Sequence, residues 1–313
     1  MKVFVTGSAG MLGTSLVPIF VAAGHDVTAT DIDLSRPRPW GPGYPGVGLL
    51  DVRDRSEVRS ALAATRPDVV LHLAAETSLE ISDTDVDHAY LTNTIATKYV
   101  ALECRRLDIP LVFISTAGVF DGTKPDAYVE FDQPNPVNAY GASKFEAEKL
   151  VASMLERYFV VRAGWMVGGG NGKDHKFVAR ILDQVREGST TIYAVNDKFG
   201  TLTYTYDFAR CLLNLIESRV YGLYHMACRG KANRYDIAEH MLKVLGREDI
   251  ELVEVGSEFF QEEFFSNRPR SETMRNMALD LQGMNLMRPW DVAVEEYLER
   301  HFRDLISRVP LAV

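Results

Sequence analysis

Cysteine is scarce in this 313-residue chain, and Cys104, Cys211 and Cys228 stand far apart and are odd in number. They make no disulfide framework and no zinc-ligand spacing, which fits a reducing compartment. Long apolar runs are missing too. No stretch approaches the ~20 residues that span a bilayer, and the apolar opening is too short for a signal-peptide core. A cytoplasmic protein without membrane attachment is therefore expected. Nor is there a basic block: 34 Lys+Arg face 43 Asp+Glu, for a formal net charge of -9. A nucleic-acid or membrane-surface partner is not expected, and an anionic small ligand would need a local basic pocket. Repeats and low-complexity segments are absent as well. What the chain does have is 46% hydrophobic residues, enough for a real core at this length.

The stretch that organises the rest is Val3-Phe4-Val5-Thr6-Gly7-Ser8-Ala9-Gly10-Met11-Leu12-Gly13. Three β-favouring residues run into a glycine-spaced turn, after which Leu12, Leu16, Ile19 and Phe20 recur at helical spacing. Strand, tight turn and helix in that order form a phosphate cradle. A side chain at the glycines would forbid the turn or hold the backbone away from a pyrophosphate seated on the helix's free N–H groups. The spacing Gly7-x-x-Gly10-x-x-Gly13 is one residue longer in its first interval than G-x-G-x-x-G. Pro18 conflicts with the helix locally, at a cost of roughly 3 kcal/mol unless relieved.

Strands and helices then alternate. His25 to Asp31 follows the helix stop Gly24 and reads as a second strand with an acid at its tip. A carboxylate there accepts hydrogen bonds from the adenosine ribose and repels a 2′-phosphate, favouring NAD over NADP. Asp31 also reads as a plain turn aspartate, and Arg36 and Arg38 are placed to accommodate a phosphate. Residues 35–46 hold four prolines and three glycines, a surface excursion before strand three, Val47 to Leu50. Asp51 can bond the adenine amino group with Val52 against the ring, or serve helix capping; Asp54-Arg55-Ser56-Glu57 resembles a capping box.

Asp68 to Leu73 is the nearly continuous apolar sequence of a central parallel strand, ending in Ala74-Ala75, small enough for backbone to approach a cofactor. His72, alone within it, reads as a satisfied core residue. A helix from about Val86 to Arg106 carries Asn93, and Leu111 to Ser115 is strand five. The long connection from Gly118 to Asn138 is unusual unless functional. A helix after Pro136 bears Tyr140 and Lys144, with Glu146, Glu148 and Lys149 on more exposed positions; Tyr158 to Val161 is strand six.

Beyond Arg162 the pattern changes. A glycine loop, Gly168 to Gly172, precedes a helix over Phe177–Val185 and short strands at Thr191–Ala194 and Gly200–Tyr206. Asp207–Glu217 and Gly222–Met226 read as a return to the first domain, and helices dominate from Asn233, with Trp290-Asp291 opening the last. The expected architecture is α/β: a Rossmann-type doubly wound parallel sheet over 1–163, rejoined by 201–226, and a smaller, mostly helical substrate domain from 164–200 and 227–313.

Tyr140 and Lys144 lie one helical turn apart, on one face. Tyrosine, with an ordinary pKa near 10, is a poor acid-base at neutral pH. A nearby ammonium and the helix's positive end favour the phenolate and bring it toward the working range.

With Thr6 to Gly13, Asp31, Asp51, His72-Leu73-Ala74-Ala75, Asn93, Ser115-Thr116 and Tyr140-Gly-Ala-Ser-Lys144 in that order, the chain resembles the extended short-chain dehydrogenase/reductase superfamily. Ile114-Ser115-Thr116-Ala117-Gly118-Val119-Phe120-Asp121-Gly122 is similar to the dTDP-4-dehydrorhamnose reductase group. More weakly, so are Asp197 to Thr203, Arg268-Pro269 and Arg288-Pro289-Trp290. The group usually carries Asp and Tyr at Ala117-Gly118, and Pro at Leu202; these positions lie near the sugar.

The resemblance implies NAD(P)H-dependent reduction of a nucleotide-activated 4-keto sugar. In it Tyr140 protonates the developing alkoxide, Thr116 hydrogen-bonds that oxygen, Lys144 holds the nicotinamide ribose and lowers the Tyr140 pKa, and Asn93 positions a relay water. It also implies cofactor contacts at Gly7, Ala9, Gly10, Met11, Leu12, Gly13, Asp31, Asp51, Val52, Leu73, Ala74, Ala75, Tyr140 and Lys144. Substrate contacts fall at Thr77, Thr116, Ala117, Lys198 and Arg268, with Arg270, Lys173 and Lys176 as further cations for the diphosphate. No metal is expected, and a homodimer is expected by analogy. Two alternatives stand beside the reductase: an NAD-retaining nucleotide-sugar epimerase, and a non-catalytic regulatory subunit on the same fold, although Tyr140 and Lys144 are both retained. A dehydratase would carry an Asp-Glu pair where this chain has Ala117-Gly118.

Overall fold

A computed structural model describes residues 1–35, 40–41, 43–170 and 172–306. Arg36 and Arg38 lie outside the described residues, as does Asn171 of the glycine loop. The core element is a parallel sheet of seven strands. Six are β1 (Lys2–Thr6), β2 (Asp26–Asp31), β3 (Val47–Leu49), β4 (Val69–His72), β5 (Leu111–Thr116) and β6 (Tyr158–Ala163). The seventh, Gly222–His225, pairs in parallel with the outer side of β6. From one edge the order is Gly222–His225, β6, β5, β4, β1, β2, β3, so the chain reverses direction across the sheet between β1 and β4. That switch leaves a crevice at the strands' C-terminal ends, where ligands of open α/β sheets sit.

The central strands are buried along their lengths, which is why they read as continuous apolar runs. Two apolar layers cover the faces. Leu12, Leu16, Val17 and Phe20 of the first helix, α1 (Met11–Ala22), pack with Phe208 and Leu212 of the helix Thr205–Ser218 on one side. Val58, Leu62, Val100 and Val151 cover the other. Pro18 sits inside α1, where it removes the amide that would bond the Thr14 carbonyl.

Four local expectations change. The helix carrying Asn93 is not uniform: Val86–Tyr90 and Ala96–Leu107 are α-helical, and Leu91–Ile95 between them is a π-turn. The predicted capping box at Asp54 is one-sided. Asp54 accepts from the Ser56 and Glu57 amides, whereas Glu57 reaches the Asp51 amide instead of closing the box. The predicted strand Gly200–Tyr206 is two strands, Phe199–Gly200 and Leu202–Tyr204. Glu148, expected on an exposed position, is buried: β6 runs on to Ala163 and brings Arg162 beneath the Tyr140 helix, where the two form an ion pair at 2.7 Å.

The remaining residues build short strand pairs and helices above the sheet's C-terminal edge. Trp165–Val167 pairs with Leu202–Tyr204, and Phe199–Gly200 lies between Ala232–Asn233 and Ser271–Glu272. The last long helix, Trp290–His301, opens at Trp290 as expected. Among the described residues no helix is long and apolar enough to cross a membrane, and all three cysteines are free and buried.

Candidate active site

The turn after β1 is dictated by close approach. Gly7 has φ +65°, and a Cβ there would stand 2.6 Å from the Ala74 nitrogen, so this position takes glycine both for conformation and for space. Through it the turn lies directly on the Leu73-Ala74 backbone at the tip of β4. A Cβ on Gly13 would meet the Ser8 carbonyl oxygen at 1.9 Å, which fixes how closely α1 closes on the turn. Gly10 is the N-cap of α1 without a side-chain cap, and no acidic residue lies in the first turn, so the amides from Met11 to Gly13 and the helix dipole are open to an anion. Lys173 donates to the Ala9 carbonyl at 2.9 Å, adding a cation beside the turn.

Asp31 at the tip of β2 is buried and faces the same turn. It accepts from the Ala9 amide at 2.9 Å and the Asp33 amide at 3.2 Å, so it shapes the cradle as well as carrying its negative charge. Asp51 is held in a two-pronged pair with Arg53, which keeps its carboxyl below the usual range, and Val52 is buried against the Val58 and Leu62 layer. His72 is a core residue. It bonds Thr6 at 2.8 Å and Thr97 at 3.1 Å, and burial, aided by the Lys144 charge, depresses its pKa to about 3.

Thr116 ends β5, and Tyr140 stands in the first turn of the helix Ala139–Met154, whose N-cap Asn138 accepts from the Gly141 amide. The Tyr140 hydroxyl stands close enough to Thr116 for that side chain to favour its ionised form. Lys144 is buried one turn on, with Nζ 4.2 Å from the Phe113 ring centroid. Lys144 does not lower the Tyr140 pKa as the sequence suggested. Burial pushes the phenol up to about 12, the neighbouring Thr116 side chain opposes this, and the Glu272 and Glu76 charges add to it. Lys144 itself is pushed down to about 7 by burial, against the pull of Glu148. An ammonium with an ordinary pKa in the low-dielectric interior is the assumption that fails here.

Asn93 is saturated by protein. It accepts from the Glu76 amide at 2.9 Å and donates to the Glu76 carbonyl at 3.1 Å and to Ser143 at 3.0 Å. Ser143 in turn donates to the Tyr140 carbonyl, so the π-turn ties the segment after β4 to the tyrosine helix. Thr77 is exposed within that segment, and Ala117 is buried in a short 3-10 turn after Thr116.

The long connection after Gly118 is not loose. Asp121 accepts from Thr123, Tyr128 and Asn135, and those bonds hold its carboxyl well below the usual range. Gly122 (φ +76°) lies against the Pro269 ring and the Arg270 and Ser271 amides, which brings the Val-Phe-Asp-Gly and Arg-Pro motifs together. Arg268 pairs with Glu80 at 2.7 Å and lies over Phe264; Lys198 donates to the Arg268 carbonyl at 2.9 Å. Lys198 and Arg268 are thus adjacent, while Arg270 is exposed.

Sequence reasoning passed over three residues here. Glu272 accepts from the Trp165 indole at 2.6 Å, and Arg234 stacks over that ring with its guanidinium carbon 3.7 Å from the centroid. All three come from short strands or a helix start remote in sequence from Thr116. The signal available was the aromatic at Trp165, directly after strand six.

The RmlD substrate binding domain family matches residues 1–302, nearly the whole chain. The chain belongs to that family. Membership bears out the resemblance to the extended short-chain dehydrogenase/reductase superfamily. Among relatives of this family member, the spore coat polysaccharide biosynthesis protein SpsK of Bacillus subtilis is 30% identical over 298 residues, covering 95% of this chain and 97% of its own. The dTDP-4-keto-6-deoxy-D-glucose reductase of Streptomyces niveus is 30% identical over 294 residues, 93% of this chain and 94% of its own. The dTDP-4-dehydrorhamnose reductase of Bacillus anthracis, solved with NADP, superposes with a TM-score of 0.83 at 28% identity, over 96% of this chain and 99% of that one.

Proposed function

We propose that this protein is an NAD(P)H-dependent oxidoreductase that reduces a nucleotide-activated 4-keto sugar. The observation that carries the reading is the placement of Tyr140 beside Thr116 at the C-terminal end of β5, with Lys144 one turn on, in a sheet whose first turn is an uncapped helix start. The relatives named as nucleotide-sugar reductases support it. The cradle fits a dinucleotide, since Gly7 and Gly13 admit backbone but no side chain and the first-turn amides face outward. A nicotinamide dinucleotide, when bound to this cradle, would supply the hydride. Tyr140, protonated at neutral pH by its raised pKa, is suited to give a proton to the alkoxide that forms on the sugar, while Thr116 shares that oxygen. Lys144 is placed to orient a ribose hydroxyl, and Asn93 acts as a positioning residue through Glu76 and Ser143.

Residues 1–163 with 201–226 form the cofactor half of this reading, and 164–200 with 227–313 the sugar-nucleotide half, where Lys198 and Arg268 face the diphosphate. Asp31, negative and buried at the cradle, favours NADH over NADPH. A homodimer through the Asn93 and Tyr140 helices belongs to the same proposal.

The test is a panel of nucleotide-linked 4-keto sugars with NADH and NADPH oxidation followed separately and Tyr140→Phe as control. Consumption of a cofactor by the wild type and its loss in the variant is expected. No consumption across the panel would overturn the reading. Sugar inversion with a co-purified cofactor and no net redox change would replace it with the epimerase, and a strong preference for NADPH would overturn the role of Asp31.

A further inference from the structure

We propose that Glu272 is a specificity-determining residue, accepting a hydrogen bond from a hydroxyl or amine on the ring carbon next to the ketone. The proposal rests on the reductase reading above. Glu272 lies in the two-residue strand Ser271–Glu272, held in register with Gly200. Its Oε2 accepts from the Trp165 indole, which fixes the carboxylate plane. Its Oε1 has no hydrogen-bond partner among the described residues.

That second oxygen faces the catalytic end of β5. A side chain starting at Gly118 would place its Cβ 3.5 Å from Glu272 Oε1 and 3.4 Å from Thr116 Oγ1, so both oxygens border one small space. Here glycine leaves the space open, and a carboxylate from the second half of the chain looks into it. The same carboxylate is near enough to Tyr140 to raise its pKa. Burial raises the Glu272 pKa above the usual carboxylate range, against Trp165, Arg234, Arg268 and Lys176, which favour the charge.

In its ionised form the carboxylate only accepts, so the ligand group proposed for it is a donor. Thr116 and Tyr140 hold the ketone oxygen in the reading above, and a group reaching Oε1 therefore hangs on a flanking ring carbon. In a 4-keto-6-deoxypyranose that is the 3-substituent, since the other flanking carbon bears a methyl group. A site built to bond such a donor discriminates strongly against the analogue without it, because its polar atom is then left unpaired.

The experiment compares kcat/KM for a nucleotide-linked 4-keto-6-deoxyhexose and its 3-deoxy analogue in the wild type, Glu272→Gln, Glu272→Ala and Gly118→Tyr. The wild type should prefer the 3-hydroxy sugar at least ~10-fold, and all three variants should bring the ratio to within about threefold. The loss should fall on the 3-hydroxy sugar. A parallel drop for both sugars, with the ratio kept, would mean a purely structural Glu272 and overturns the proposal. Gly118→Tyr leaves the Glu272–Trp165 bond in place and fills the space from the other side, so an unchanged ratio there also counts against it. Reduction of both sugars by the wild type without discrimination rejects Glu272 alone. Reduction of neither rejects the reductase reading and this inference with it.

Discussion

The glycine turn after β1 and the wall around Glu272 border the same crevice but are built on opposite principles. In the turn, backbone meets backbone: Gly7 against Ala74 and Gly13 against Ser8, at separations that admit no side chain. In the wall, side chains meet side chains: Glu272 on Trp165, Arg234 over the same ring, Arg268 on Glu80 and Phe264. Steric exclusion leaves one residue type per position, whereas a wall of long polar chains can be exchanged piece by piece. A common cradle with an adaptable pocket follows, as do different costs of mutation.

Tyr140 stands between the two regions and should show the largest effect. Tyr140→Phe should lower kcat by ~10²–10⁴-fold with cofactor binding retained, checked by steady-state kinetics beside a cofactor titration. An active phenylalanine variant would move the acid elsewhere in the wall. Next, Gly13→Ala should lower stability by about 2–3 kcal/mol and weaken dinucleotide binding, because its Cβ would stand 1.9 Å from the Ser8 oxygen. Gly10→Ala, whose Cβ would meet the Gly7 oxygen at 3.2 Å, should cost markedly less. Denaturant melts of the pair decide it, and equal losses would break the steric account of the turn.

Acid should act on the sheet before it acts on the wall. Burial holds His72 beneath the turn and His225 at the far edge to about 3, below their ordinary 6.5. Folding favours the neutral rings, so this stability is fully present above pH 6.5 and is lost as pH falls toward 3, when the unfolded chain takes up protons the folded one refuses. Thermal melts across that window should show a slope approaching about two protons, and His72→Gln should flatten part of it. The smallest effect belongs to the wall. Arg268→Ala should raise the sugar-nucleotide KM several-fold while leaving kcat and the melting temperature nearly unchanged, since its ion pair with Glu80 is partly solvated. A fall in kcat instead would mean that the wall is as rigid as the turn.

The same contrast explains what could be read from sequence. The turn, β4 and the Tyr140–Lys144 spacing were legible because local periodicity and glycine placement carry them. Glu272 was not: 156 residues separate it from Thr116, and its strand is two residues long. Glu148 was open to reading, since it continues the Tyr140, Lys144 stripe at the next i+4 position, but its burial depends on Arg162 arriving on β6. The inverted pKa order of Tyr140 and Lys144 comes from desolvation, which composition does not disclose.

The π-turn at Leu91–Ile95 also limits how this chain can change in length. A π-turn is an α-helix holding one residue more than its pitch requires. Deleting a residue there would restore ordinary winding with the flanking helices left in place, and remove the widened turn that carries Asn93. Asn93 would then leave either Glu76 or Ser143, and the segment after β4 would come away from the tyrosine helix. The extra residue of this helix is thus tied to the set of bonds that Asn93 makes.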